Sequence, residues 1–201
     1  MSYSDPISHA LSFTAKQLAQ GPERSSADLA RPAALGLLLA RYDCEDPVII
    51  AGILSELLSQ TSTRDRVAME RRISEKFGSL VHAVAVEAMG PPQTPDRKSL
   101  SRTWESAQCD ILEHFADAEP RTMDVRAAYE IIACGALLAD VRRLGVEYLP
   151  QVAPASGEQL VWWFRSFAET LDRNEAWTRR TMLTDLRLLT SQLAEAVRES
   201  A

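Results

Sequence analysis

The chain has 201 residues, of which 46% are hydrophobic and 25% charged, and its formal net charge is −6 at pH 7. This balance is typical of a globular protein, and the length predicts one domain over residues 1–201. A negative chain disfavours a nucleic-acid interface, because phosphate binding needs a basic surface. The longest apolar run, "PVIIAGILSELL", is too short to cross a membrane, and "MSYSDPISHA" lacks the regions of a signal peptide. We therefore expect a cytoplasmic protein with no nucleic-acid or membrane partner.

The first third of the chain shows helical periodicity with recognisable start signals. A first helix is predicted at about residues 7–20, and a second begins near Ser25 or Ser26, either of which can cap a helix. Asp46 is predicted to cap the third helix, with Pro47 at its first position. This third helix is apolar on most of its sides, so we expect it to run through the middle of the domain.

The helical pattern continues to the end of the chain. A fourth helix runs from about Arg64 to the C-cap signal Gly78, others follow at about 98–117 and 122–144, and Ser156 caps the next one. The stretch "GPPQTPD" is typical of a loop. No segment has a convincing strand pattern, so the predicted fold class is all-α.

The last predicted helix, at about residues 175–199, has one apolar stripe and one charged face. The stripe consists of Met182, Leu186, Leu189, Leu193 and Val197. Such a stripe has to be buried. Two arrangements remain open, because the helix can pack on its own domain or form the seam of a homodimer.

Polar residues interrupt the apolar third helix in the stretch "AGILSELLSQT". They are Ser55, Glu56, Ser59 and Gln60. A catalytic helix needs such side chains, and so does the remnant of one whose chemistry has been lost. The three histidines and three cysteines of the chain are scattered and have no metal-ligand spacing, so they predict no metal site.

An ordered set of motifs spans about residues 8–171. The pair Arg31–Pro32 opens a helix, "CEDPVIIAGILSELLSQT" and "EKFGSLVHAVAVEA" follow, and "SRTWESAQCDILEHFADAE", "AAYEIIACGALLADVRRL" and "VWWFRSFAETL" come later. In this order the motifs resemble those of the HD-domain phosphohydrolases, in particular the RelA/SpoT-type guanosine tetraphosphate hydrolases. The resemblance implies a single HD-type helical domain to which the C-terminal helix is an addition.

The resemblance also implies where a metal site would lie. In that family two histidines and two aspartates hold a divalent metal, typically manganese, and a Glu-Asp pair activates the attacking water. The metal positions fall on Arg31, Ser55, Glu56 and Asp140, the catalytic pair falls on Ser59 and Gln60, and a lysine of a later helix falls on Gln108. Only the last aspartate is kept, so the site that the resemblance implies is degenerate.

Most of these replacements are incompatible with metal chemistry. Ser55 offers a neutral hydroxyl, and Arg31 is a fixed cation that repels a divalent ion. Ser59 and Gln60 cannot act as general bases near neutral pH. We therefore expect no metal and no other cofactor.

The leading functional hypothesis is a pseudoenzyme that binds a nucleotide-like ligand or a protein partner. Arg31 then pairs with Glu56 or Asp140 in the old site, because a buried carboxylate needs a partner. Candidate ligand contacts are Arg31, Glu56, Gln108, Asp140, Arg142 and Arg143. The alternative is a phosphohydrolase that holds magnesium or manganese on Glu56 and Asp140. A third hypothesis is a purely structural oligomer.

Overall fold

The computed structural model describes residues 5–19, 29–91, 104–149 and 155–199, and these ranges contain helices and no strands. The helices are α1 Asp5–Leu18, α2 Ala30–Arg41, α3 Asp46–Ser59, α4 Thr63–Phe77, α5 Ser79–Glu87, α6 Trp104–Ala116, α7 Pro120–Leu144, α8 Gly157–Arg173 and α9 Arg180–Glu199, with a 3₁₀ turn at Val146–Tyr148. The predicted all-α class is confirmed. None of the described helices is long and apolar enough to cross a lipid bilayer.

The chain divides into two compact units, and α7 contributes residues to both. The first unit contains Met1–Met89 and Asp124–Ala128, and the second contains Gly90–Met123 and Tyr129–Ala201. Helices α1 to α5 therefore belong to the first unit, and α6, α8 and α9 to the second. The HD-type single domain stays a prediction.

The first unit is built around α3, as the apolar sequence of that helix predicts. Every residue from Val48 to Leu58 is buried, and α1, α2, α4 and α5 all pack against α3. Gly36 on α2 permits a close approach, because an added Cβ there would lie only 3.0 Å from the side chain of Ile53. A helix that is apolar all round needs neighbours on all sides, and α3 has them.

The helix ends follow the sequence signals in two places and depart from them in one. Gly78, with a φ of 91°, separates α4 from α5 as predicted. Ser156 caps α8 in a capping box with Gln159, also as predicted. The predicted cap Asp46 is wrong by one position: the extended residue Glu45 is the N-cap of α3, and Asp46 is the first helical residue.

Several sequence predictions fall outside the described residues. They are the caps Ser25 and Ser26, most of the loop at 90–96, and the first residues of the helix predicted at 98–117.

The second unit has an aromatic core on α8. Helices α6 and α9 both pack against α8. The side chains of Trp163, Phe164 and Phe167 are buried, and Phe115 of α6 meets Phe167 edge-on with ring centroids 6.0 Å apart. These aromatic residues of α8 are therefore core residues rather than a platform for stacking a ligand.

Helix α9 buries most of its predicted stripe within its own unit. Met182, Leu186, Leu193 and Val197 are buried, whereas Leu189 is only partly buried. Because α9 packs on α8, the structure shows the same-chain arrangement of the two left open by the sequence. A homodimer stays a prediction, and it would need another face of this helix.

The start of α9 differs from the predicted position near residue 175. The helix begins at Arg180, because the Asn174 side-chain oxygen accepts hydrogen bonds from the backbone N–H groups of Ala176 and Trp177 at 3.1 and 3.2 Å. Asparagine commonly stabilises turns in this way. The turn places Trp177 in a fully buried position.

Candidate functional site

Three of the family positions form one polar cluster in the first unit, which we call the Glu56 cluster. It consists of Arg31 in the first turn of α2, Glu56 in α3, and Gln60 at the end of α3. Arg31 Nε lies 3.3 Å from Glu56 Oε1, and Gln60 Nε2 donates a hydrogen bond to the same oxygen at 3.4 Å. The structure therefore pairs Arg31 with Glu56, one of its two predicted partners.

Burial in the Glu56 cluster is unequal. The Glu56 side chain is only 5% exposed, whereas that of Arg31 is 52% exposed. A buried carboxylate without a partner is costly, because it loses its hydration. Arg31 supplies the positive charge from the surface side, where water still reaches the guanidinium. The pair is thus partly screened, so removing one partner costs less than it would in a fully buried pair.

The hydroxyl groups at the neighbouring family positions point to the backbone of their own helix. Ser55 Oγ donates to the Gly52 carbonyl, and Ser59 Oγ donates to the Glu56 carbonyl, both at 2.8 Å. Each hydroxyl has one proton to donate, and it is used in these bonds. The bonds explain how serines are tolerated in a buried helix. They also leave neither hydroxyl arranged as a nucleophile or as a donor to a ligand.

The arrangement does not fit the divalent metal that the family resemblance implies. A guanidinium contacts the one acidic group of the cluster, and the serine hydroxyls are engaged with backbone carbonyls. First-row metals need imidazole or carboxylate donors in place of these groups. Across the described part of the chain, no group of three His, Cys, Asp or Glu residues is placed to hold a metal ion. Absence of metal from the protein stays a prediction that metal analysis can test.

The remaining family positions lie in the second unit. Asp140 Oδ1 is 3.2 Å from Arg143 Nη2, three residues further along α7. Arg142 is exposed in the last turn of the same helix, and Gln108 is partly buried on α6. The structure thus assembles the first-unit positions into a cluster and pairs Asp140 with Arg143. That the Glu56 cluster and Asp140 belong to one site stays a prediction.

Sequence reasoning did not single out a second buried polar group, on α7. Glu130 is 1% exposed and accepts a hydrogen bond from Trp163 Nε1 at 2.8 Å. Burial raises the pKa of the Cys134 thiol to about 12; a hydrogen bond with Thr190 opposes this shift, and the charge of Glu130 adds to it. The only signal in the sequence is a lone carboxylate within the apolar run "YEIIACGALL".

An exposed charge network joins α8 and α9. Asp172 Oδ1 lies 2.8 Å from Arg180 Nη1, and Asp172 Oδ2 lies 2.8 Å from Arg187 Nη2. The hydrogen bond from Arg187 is the main cause that holds the pKa of Asp172 below its usual value, and Arg180 contributes to the same effect. Asp172, Arg180 and Arg187 therefore form one ion-pair network.

No family model matches this chain, and a search of curated proteins finds no match. The likeness to the HD-domain phosphohydrolases therefore depends on the quoted motifs and their order.

Proposed function

We propose that this protein is a non-catalytic, metal-free relative of the RelA/SpoT-type guanosine tetraphosphate hydrolases that acts by binding. Its binding partner is either a nucleotide-like ligand or another protein. The observation that carries the proposal is the 3.3 Å contact between Arg31 and the buried Glu56 carboxylate. Both residues stand at positions where the family holds its metal. A guanidinium is permanently charged, so it neutralises this carboxylate without a metal ion.

The second support is the chemistry of Ser59 and Gln60, the two family positions of the catalytic pair. The Ser59 hydroxyl donates to the Glu56 carbonyl, and the Gln60 amide donates to the Glu56 side chain. Neither group takes up a proton near neutral pH. Hydrolysis in the family depends on an acidic pair at these two positions. What remains is a polar cluster with a cation at its edge, which suits binding.

Arg31, Arg142 and Arg143 are the proposed contacts for phosphate groups. The Arg31 side chain is half exposed, so an anion can reach it from solvent. Arg142 and Arg143 are exposed in the last turn of α7. Guanidinium groups bind phosphate oxygens in a planar, two-pronged geometry.

Restoring the family residues tests the resemblance. The restored variant carries Arg31→His, Ser55→His, Glu56→Asp, Ser59→Glu and Gln60→Asp, and it keeps Asp140. We expect this variant to bind one manganese ion per chain, measured by calorimetric titration, since its donors then match those of the family. The matched control adds Asp140→Asn and should lose the metal. A folded restored variant that binds no manganese, or binds it equally well in the control, contradicts the resemblance.

Nucleotide binding is tested by thermal unfolding with guanosine tetraphosphate and other guanine nucleotides. A ligand at 100 times its dissociation constant stabilises the fold by about 2.7 kcal/mol. We expect Arg31→Ala to abolish this stabilisation, and we expect Arg71→Ala, which removes an exposed cation on α4, to keep it. If no guanine nucleotide stabilises the wild-type protein, guanine nucleotides are ruled out as the ligand; if no other nucleotide stabilises it either, the purely structural oligomer becomes the leading hypothesis.

A further inference from the structure

A cavity of about 260 Å³ lies between α8 and α9 of the second unit, and none of the family positions lines it. Its lining consists of Arg165, Ala168, Glu169, Arg187, Thr190 and Ser191. Residues four apart share one face of a helix, so Arg165 and Glu169 line it from α8 while Arg187 and Ser191 line it from α9. Each helix therefore brings one guanidinium to the cavity.

The charge around the cavity is positive, in contrast to that of the whole chain. The one carboxylate that lines it is already engaged, because Glu169 is 3.2 Å from Arg173. Arg187 also pairs with Asp172, outside the lining, at 2.8 Å. Among the residues that line the cavity, two guanidiniums, of Arg165 and Arg187, and one carboxylate, of Glu169, give a charge of 2 − 1 = +1. The net charge of the chain is −6. This excess of positive charge favours an anion.

Two donors in the cavity lining are unused within the described part of the chain. Arg165 makes no ion pair or hydrogen bond there, and the Ser191 hydroxyl makes no hydrogen bond there. The neighbouring Thr190 differs, because its hydroxyl donates to the Leu186 carbonyl at 2.7 Å. Arg165 and Ser191 are both exposed, so solvent satisfies them until a ligand arrives.

We propose that this cavity binds a small phosphate-bearing anion, with Arg165, Arg187 and Ser191 as its donors. The two guanidiniums provide charged donors that match phosphate oxygens, and the serine hydroxyl adds a neutral one. The space is smaller than the roughly 300–1,000 Å³ of sites for drug-sized ligands. It therefore suits a phosphate monoester or a pyrophosphate group.

Calorimetric titration with inorganic pyrophosphate at low ionic strength tests this site. We expect Arg165→Gln to weaken binding about tenfold and Ser191→Ala to weaken it by a smaller factor. The matched control is Arg198→Gln, which removes an exposed cation from the same end of the chain and should change the affinity less than about twofold. Both cavity variants change exposed side chains, so we expect them to fold, and their melting temperatures check this.

Three results would overturn the proposal. One is a wild-type protein that shows no binding at about 10 mM pyrophosphate. Another is equal weakening by Arg165→Gln and Arg198→Gln, which would mean that diffuse charge and not the cavity attracts the anion. The last is binding to vesicles that contain anionic phospholipid without any binding of pyrophosphate, which would assign the basic residues to a lipid surface.

Discussion

Removing the Arg31 guanidinium probes the Glu56 cluster most sharply. Arg31→Met keeps much of the aliphatic stem but takes the positive charge from a carboxylate that is 5% exposed. Leaving a fully buried charge without its partner costs roughly 3–5 kcal/mol, whereas exposed ion pairs contribute about 0–1 kcal/mol. Arg31 itself is 52% exposed, so solvent screens part of the interaction. We expect a loss of about 1–3 kcal/mol in the free energy of unfolding, between these limits.

A double-mutant cycle with Glu56→Gln separates the ion pair from other contacts of Arg31. Urea unfolding of the four proteins, followed by far-ultraviolet circular dichroism, gives the coupling energy, which we expect to be about 1–2 kcal/mol. Arg71→Met, at an exposed position on α4, is the control and should change stability by less than about 0.5 kcal/mol. A coupling energy indistinguishable from zero would refute the reasoning, because it would mean that Arg31 does not stabilise the Glu56 charge.

Contacts of the second unit give four further expected outcomes. A thiol reagent at about pH 8 should label the exposed Cys109 and spare the buried Cys134, and equal labelling rates would contradict that burial. Burial raises the folded-state pKa of Cys134 to about 12, against 9.0 for the free thiol. Between these two pH values the unfolded chain loses a proton that the folded chain keeps, so the free energy of unfolding should fall by about 1.4 kcal/mol per pH unit. Cys134→Ala should remove that contribution to the slope. The folded-state pKa of Asp172 is lowered from 3.8, so its contribution to the stability of the fold is present above about pH 4 and lost as the pH falls through the folded-state pKa. The difference in melting temperature between the wild-type protein and Asp172→Asn should therefore shrink in that range, and a constant difference would contradict this. Asn174→Ala should lower the free energy of unfolding, measured in urea, by about 1–3 kcal/mol, because the Asn174 amide donates to the Ala118 carbonyl and accepts from the backbone N–H groups of Ala176 and Trp177. A change below about 0.5 kcal/mol would contradict this role.

Several features of the fold could be predicted because they depend on local sequence. The burial of α3 follows from a helix with no polar face, and Gly78 and Ser156 mark helix ends because glycine and serine satisfy the backbone there. The spacing also places Glu56 and Gln60 one turn apart. The sequence could not decide whether Arg31 pairs with Glu56 or with Asp140, because that choice depends on how α2 packs on α3.

Other features depended on tertiary contacts that periodicity does not encode. The predicted start of the last helix was wrong because the Asn174 side chain holds a turn there, and its amide also donates to the Ala118 carbonyl at 3.1 Å. The cavity between α8 and α9 was missed for a similar reason. Arg165 and Arg187 each have the pattern of an ordinary solvent-exposed arginine, and only the packing of their helices brings both to one cavity.

In the proposed function, the Arg31 guanidinium takes the place of the metal beside Glu56. A calorimetric titration of the wild-type protein with manganese tests it most directly. We predict that the wild-type protein shows no stoichiometric binding of manganese. One manganese ion bound per chain in the wild-type protein, and lost in Glu56→Gln, would contradict the claim.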